Sequence, residues 1–337
     1  MFGGFWIATA FRHDQGAVEE IRKMDVAGLP LSEVLNQLGD KPLVHAIEQL
    51  DPAKAKMGEE LIFLGQTMYN GKKSKLISSY FVCTDCHTTK RESADISKDN
   101  PTERLKFAEA NGMPFLPGST LWGIYNRTSF YNKDYEKKYG DLVVDARDTL
   151  QNAVQLCAKY CSTGRNLEPW EEEAIMHYFK REELKLSDLN LPEAVLKEIR
   201  SLGKLSPDEK AALIKKIKTY YSQKYDATFL ETMATDKRKY GEGGNSANGE
   251  LIYEKACMFC HENKRVTYLH LDKGKLSGKM FWKNRKNYSD LSLYQIVRHG
   301  TYSKTGRQQY MPLFTKEKMS DEQLNDLVAY IKKLARK

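Results

Sequence analysis

Two copies of Cys-x-x-Cys-His constrain this chain more than any other feature: Cys83-Thr84-Asp85-Cys86-His87 and Cys257-Met258-Phe259-Cys260-His261. The pattern is that of c-type haem attachment. Two thiols at this spacing reach the two vinyl groups of one porphyrin, and the histidine that follows falls under the iron as its proximal ligand. Other uses of the pair fit less well. A structural zinc needs four soft ligands per site, and the remaining cysteines, Cys157 and Cys161, form no second Cys-x-x-Cys. A redox dithiol has no need of the trailing histidine, still less of two. The motifs therefore predict two covalently attached haem c groups. Cys83, Cys86, Cys257 and Cys260 would carry the thioether links, and His87 and His261 would hold the irons.

The 337 residues suffice for two haem domains and connecting structure. Hydrophobic residues at 41% and charged residues at 29% suit a globular protein, and no apolar run reaches the length of a membrane helix. Of six cysteines four are assigned to haem, which excludes a dense disulfide framework. The net charge of +8 favours redox partners with acidic docking surfaces, or an anionic membrane face. No nucleic-acid module accompanies that charge, so nucleic acid is not an expected partner. Haem is attached to such motifs outside the bacterial cytoplasm, so a periplasmic or other extracytoplasmic location is expected. The apolar start, Met1 to Phe11, has no basic leader region and is too short to span a bilayer, although Ala8-Thr9-Ala10 has the small-x-small pattern of a cleavage site. It reads as a leader remnant, as a membrane anchor, or as an apolar arm packed on the protein.

Hydrophobic spacing predicts a mainly α fold: two haem domains joined by a helical connector. The boundaries read as an N-terminal helical segment over 1–56, a first haem domain over 57–182, the connector over 183–240 and a second haem domain over 241–337. Ser32 and Gly39 would bound a short helix, and Pro42 would open another carrying Leu43, Val44, Ile47 and Leu50. Asp51-Pro52 starts a longer helix whose buried face would hold Met57, Leu61, Leu64 and Met68. Gly71 to Lys75 reads as a lysine-bearing loop, and Pro169 to Phe179 as an amphipathic helix closing the first domain. Ser206-Pro207-Asp208-Glu209 is a capping box in the connector. The glycine-rich run from Gly241 to Gly249 reads as a flexible break. Ser320 to Gln323 caps a last helix with Leu327, Tyr330, Ile331 and Leu334.

The second domain resembles the class I cytochrome c family. The likeness rests on Gly249-Glu250-Leu251-Ile252-Tyr253 ahead of Cys257, and on Tyr310-Met311-Pro312-Leu313-Phe314 before the last helix. It implies Met311 as the distal ligand opposite His261, a soft thioether that favours ferrous iron and raises the potential. The alternative is a packing methionine. Between motif and ligand, Lys273, Lys275, Lys279, Lys283, Arg285 and Lys286 would either dock an acidic partner at the haem edge or solvate a loop.

The first domain resembles the first haem domain of thiosulfate dehydrogenases and, more distantly, the haem subunit of the sulfur-oxidising multienzyme system. The likeness covers about residues 57–180, through Gly58-Glu59-Glu60-Leu61-Ile62, Leu121-Trp122-Gly123, and Cys157 followed by Gly164, Arg165 and Leu167. It implies Cys157 as the distal thiolate ligand. That family has a serine and a lysine where this chain has Cys161 and Arg165, a departure that bears directly on sulfur chemistry. Cys161 and Met113, in Met113-Pro114-Phe115, stand as alternative ligands. In an oxidising compartment Cys157 and Cys161 would also be able to pair. His177 reads as an ordinary helix residue.

The expectation is a dihaem c-type cytochrome that passes single electrons between redox partners, from a low-potential first haem to the second, with no catalytic residue assigned. The alternative is an enzyme oxidising thiosulfate or a related sulfur anion at the first haem, with Arg165 in a cationic pocket. A third reading is a subunit of a membrane respiratory complex that docks through residues 1–56.

Overall fold

The computed structural model describes residues 26–262, 266–301 and 311–336. Met1–Phe11 and Tyr310 lie outside them. In chain order the helices are α1 (Leu31–Leu38), α2 (Pro52–Leu64), α3 (Pro101–Ala110), α4 (Lys133–Tyr139), α5 (Leu150–Leu156) and α6 (Pro169–Arg181). They continue as α7 (Glu193–Arg200), α8 (Pro207–Ile217), α9 (Ser246–Ile252), α10 (Met258–His261), α11 (Lys275–Asn284), α12 (Leu293–His299) and α13 (Asp321–Arg336). The fold is mainly α, as the spacing predicts. Strands among the described residues are confined to one hairpin of β1 (Met68–Tyr69) and β2 (Lys72–Lys73). Its turn is Asn70-Gly71, with positive φ at both residues (49° and 74°), inside the stretch read from sequence as a loop. Among the described residues no helix is long and apolar enough to cross a membrane.

The described residues fall into two compact units. The smaller joins the chain up to Pro42 with Leu184–Tyr220. Here α1 buries Leu31, Val34, Leu35 and Leu38, and ends at Gly39 in the left-handed conformation (φ 95°). Its cap is Pro30 rather than Ser32, which is itself buried. The Leu31 N–H donates to the Leu184 carbonyl at 2.7 Å. The predicted capping box of α8 is present, with Ser206 and Glu209 exchanging hydrogen bonds.

The larger unit takes Leu43–Glu183 and the chain from Tyr221 onward, so both haem-attachment motifs lie in it. Residues 42–50 are not helical, contrary to the sequence reading. Tertiary anchors set their path instead: the Ile47 N–H donates to the Tyr125 hydroxyl at 2.8 Å, while Val44 is exposed. Asp51 caps α2 as expected, accepting from the Ala53 and Lys54 N–H groups. The buried face of α2, however, is Ala55, Gly58, Leu61 and Ile62, whereas Leu64 and Met68 are exposed. Gly58 explains the rotated register. A Cβ there would stand 2.1 Å from the Ala174 carbonyl oxygen, so α2 meets α6 backbone to backbone at this point.

The last helix is gripped in the same manner. A Cβ on Gly249 would stand 1.9 Å from the Asp326 carbonyl oxygen, and one on Gly241 would meet Ala329 at 2.7 Å. The glycine-rich run read as a flexible break is thus a packing surface for α13. Ser320 and Gln323 form the predicted capping box of α13, which buries Leu327, Tyr330, Ile331 and Leu334.

Candidate haem-binding sites

The first motif forms a short turn, in which the His87 N–H donates to the Cys83 carbonyl at 3.0 Å. His87 Nδ1 lies 2.6 Å from the Ser119 carbonyl oxygen. A carbonyl only accepts, so Nδ1 carries the proton and the Nε2 lone pair is left for a metal. Gly118 makes this possible: a Cβ there would fall 2.5 Å from the Cys86 carbonyl oxygen and 2.7 Å from His87 Nδ1. Burial pushes the Cys83 thiol up to about 12 and, with the neighbouring Cys157 and Cys260 sulfurs, pushes Cys86 well up. Yet both thiols keep accessible surface. The donor set therefore fits a covalently held haem.

Cys157 and Cys161 are carried to the same place by one structural irregularity. Helix α5 runs into a π-turn at Cys157–Cys161, closed by the Ser162 N–H on the Cys157 carbonyl at 2.9 Å. Such turns recur at functional sites. Cys161 and His87 both act on the Cys157 thiol. The Cys161 contact, against the cost of burial and with help from His87, holds the Cys157 thiol well below its usual range. The same contact, reinforced by burial, pushes Cys161 well up. The two sulfurs are not bonded to each other. Of the alternatives, Met113 is buried two residues before Phe115, which belongs to the hydrophobic core around α13. His177 is buried on α6 and accepts the Asp51 N–H at Nδ1 (3.1 Å).

At the second motif a π-turn, Tyr253–Cys257, leads into α10. Tyr253 is buried and its hydroxyl donates to the Asp272 carbonyl at 3.0 Å. His261 Nδ1 lies 2.8 Å from the Leu269 carbonyl oxygen, the same device as at His87. Burial, then Cys260, pushes the Cys257 thiol up to about 12. Met311 is partly buried, and its N–H donates to the Thr301 hydroxyl at 2.8 Å. Its carbonyl crosses Gly300, where a Cβ would come within 2.2 Å. The backbone at Met311 is therefore held on both sides.

Several residues that sequence reasoning missed tie the two motif regions together. The Phe115 N–H donates to the Lys255 carbonyl at 3.0 Å, and the Phe115 ring stacks on Phe314 at 6.2 Å. Beside them Arg104, Glu92 and Lys318 form a buried ionic cluster. Arg104 pairs with Glu92 at 3.0 Å, and Lys318 stands 3.7 Å from Glu92 and 4.0 Å from Asp99. Burial alone would raise the Glu92 carboxyl, but Arg104 and Lys318 outweigh it and hold it at about 2. Three charged residues scattered along a sequence give no local signal of such a cluster.

Arg165, expected in an anion pocket, is otherwise engaged. Its two terminal nitrogens clasp Glu171 at 2.7 and 2.6 Å, and its remaining N–H groups go to the carbonyls of Leu76, Asn166 and Lys75. All five guanidinium donors are spent.

Residues 244–331 match the family model for cytochrome c oxidase, cbb3-type, subunit III. That span is a cytochrome c domain. Such a domain implies covalent haem c and electron transfer, and Cys257, Cys260 and His261 are the residues of the span placed to hold the group. No curated protein and no solved structure matches the chain.

Proposed function

We propose that the chain is a dihaem c-type cytochrome that carries single electrons between redox partners. One observation carries this reading: the two motifs lie in one compact unit, tied together by the Phe115 N–H on the Lys255 carbonyl, two residues before Cys257. Cys83, Cys86 and His87 would hold one haem with Cys157 as second axial donor, and Cys257, Cys260 and His261 the other with Met311. Bound haem supplies a one-electron iron couple in each site. A thiolate donor lowers that couple and a thioether raises it, so the first site would be the donor and the second the acceptor.

Arg165 favours a carrier over a thiosulfate-oxidising enzyme, because a guanidinium with every donor committed to the protein has none to offer an anion. Location outside the cytoplasm follows from where haem c is attached. For docking, α11 offers exposed Lys279 and Lys283 beside exposed Leu276 and Met280. An acidic partner suits that face, and the oxidase in the matched family's description makes a membrane respiratory complex one candidate class.

The test is anaerobic mixing of oxidised holoprotein with thiosulfate in one arm and a stoichiometric one-electron donor in the other. The carrier takes up two electrons per chain from the donor and turns over no thiosulfate. Uptake of one electron, or catalytic formation of a coupled sulfur product, overturns the reading.

A further inference from the structure

Phe115 follows the first motif in sequence yet is buried in the hydrophobic core of the second. That core also holds Met258, inside the second motif, and Cys257 packs against it. The Phe115 N–H donates to the Lys255 carbonyl at 3.0 Å, two residues before Cys257. The Phe115 ring stacks on Phe314 at 6.2 Å, three residues after Met311. One residue therefore touches both the lead-in to the second motif and the stretch that carries Met311.

The chain beyond Phe115 reaches the first motif at once. The Gly118 N–H donates to the Cys86 carbonyl at 2.9 Å, and the Ser119 carbonyl accepts from His87 Nδ1 at 2.6 Å. Phe115 and Ser119 are four residues apart, so the chain between them spans at most about 14 Å. Arg104 holds this stretch from the side. Its guanidinium lies 4.7 Å over the Phe115 ring, donates to the Leu116 carbonyl and pairs with buried Glu92. Residues 115–119 thus form a packed, hydrogen-bonded bridge between the two motifs.

Electron transfer between two fixed sites depends on what fills the space between them. Electronic coupling decays more steeply across a void than through bonded or closely packed atoms, and a protein interior is normally packed without voids. We infer that Phe115 is a positioning residue that keeps the medium between the two attachment sites continuous, and so sets the rate of electron transfer from the first site to the second. The inference rests on the dihaem reading. The step needs no further reactant: the electron lost at the first site is the one gained at the second, and no bond is made or broken. The side chain acts through the volume it fills, so a smaller residue leaves a gap that its neighbours close only in part.

The test is the intramolecular transfer rate after rapid one-electron reduction of oxidised holoprotein. It compares the parent with Phe115→Leu, Phe115→Val and Phe115→Ala, with haem content, spectra and both potentials measured on the same samples. The graded series leaves a readable variant even where Phe115→Ala does not fold. The rate should fall stepwise from Leu to Val to Ala, reaching a several-fold loss, while spectra and potentials stay those of the parent. A parent-like rate in the smallest variant that folds, or a slowing fully accounted for by a changed potential difference, overturns this inference alone. One haem per chain in the parent overturns the dihaem reading and the inference with it.

Discussion

In both motif regions a glycine lets an earlier helix press on a later one: Gly58 on Ala174 in the first, Gly249 on Asp326 in the second. A tyrosine one turn beyond each contact, Tyr178 and Tyr330, is buried. Both regions also lock the motif histidine by an Nδ1–H bond to a backbone carbonyl, that of Ser119 or Leu269. The likeness ends where the proposed second ligand would come from. The first region continues a helix into a π-turn that brings in a thiol; the second holds a methionine on a non-helical stretch pinned to Thr301 and Gly300. A shared scaffold thus positions both motif histidines, and on the proposed reading local backbone geometry would decide the chemistry of the second ligand.

The strongest way to break the comparison is to remove the thiolate. Cys157→Ser should abolish the thiolate signature of the ferric protein and raise the first haem's potential, leaving the second unchanged. Ultraviolet–visible and magnetic circular dichroism spectra check this, and equal effects on both haems would contradict it. Met311→Ala is the mirror experiment. The second haem should leave the low-spin state and fall in potential, while the first keeps its spectrum. A low-spin second haem in that variant would remove Met311 from the site.

Smaller effects concern what joins the regions. Glu92→Gln strands Arg104 and Lys318 without their carboxylate and should cost roughly 3–5 kcal/mol, read as a lowered unfolding midpoint. Because the folded protein holds Glu92 at about 2, below the usual 4.5, its stabilising effect is present above about 4.5 and is lost as pH falls toward about 2. The acid limb of the stability curve should therefore flatten in Glu92→Gln, and an unchanged limb would show that the cluster contributes nothing. Arg165→Lys should cost only about 1–2 kcal/mol, since lysine cannot meet five acceptors, and should leave electron uptake intact. A selective loss of response to thiosulfate in that variant would instead favour the enzyme reading.

The two Cys-x-x-Cys-His motifs were legible in the sequence because covalent attachment of haem would demand fixed spacing. So were the caps of α2, α8 and α13, where one side chain answers a neighbouring N–H. The buried face of α2 was not, because Gly58 lets the backbone rather than a large side chain mark the contact. Residues 42–50 carry a helical pattern that bonds to Tyr125 override. The π-turn escaped detection because nothing in Cys157-Ala158-Lys159-Tyr160-Cys161 distinguishes an i+5 closure from an ordinary helical turn. Ser119 and Leu269 act through their carbonyls, which every residue has.

The most direct test is a spectroscopically monitored redox titration of the purified holoprotein with haem content measured on the same sample. Two haems per chain should appear, titrating as two separate one-electron waves, with the thiolate-bearing haem in the lower one. A single haem per chain, or a thiolate signature on the higher-potential wave, would contradict the account.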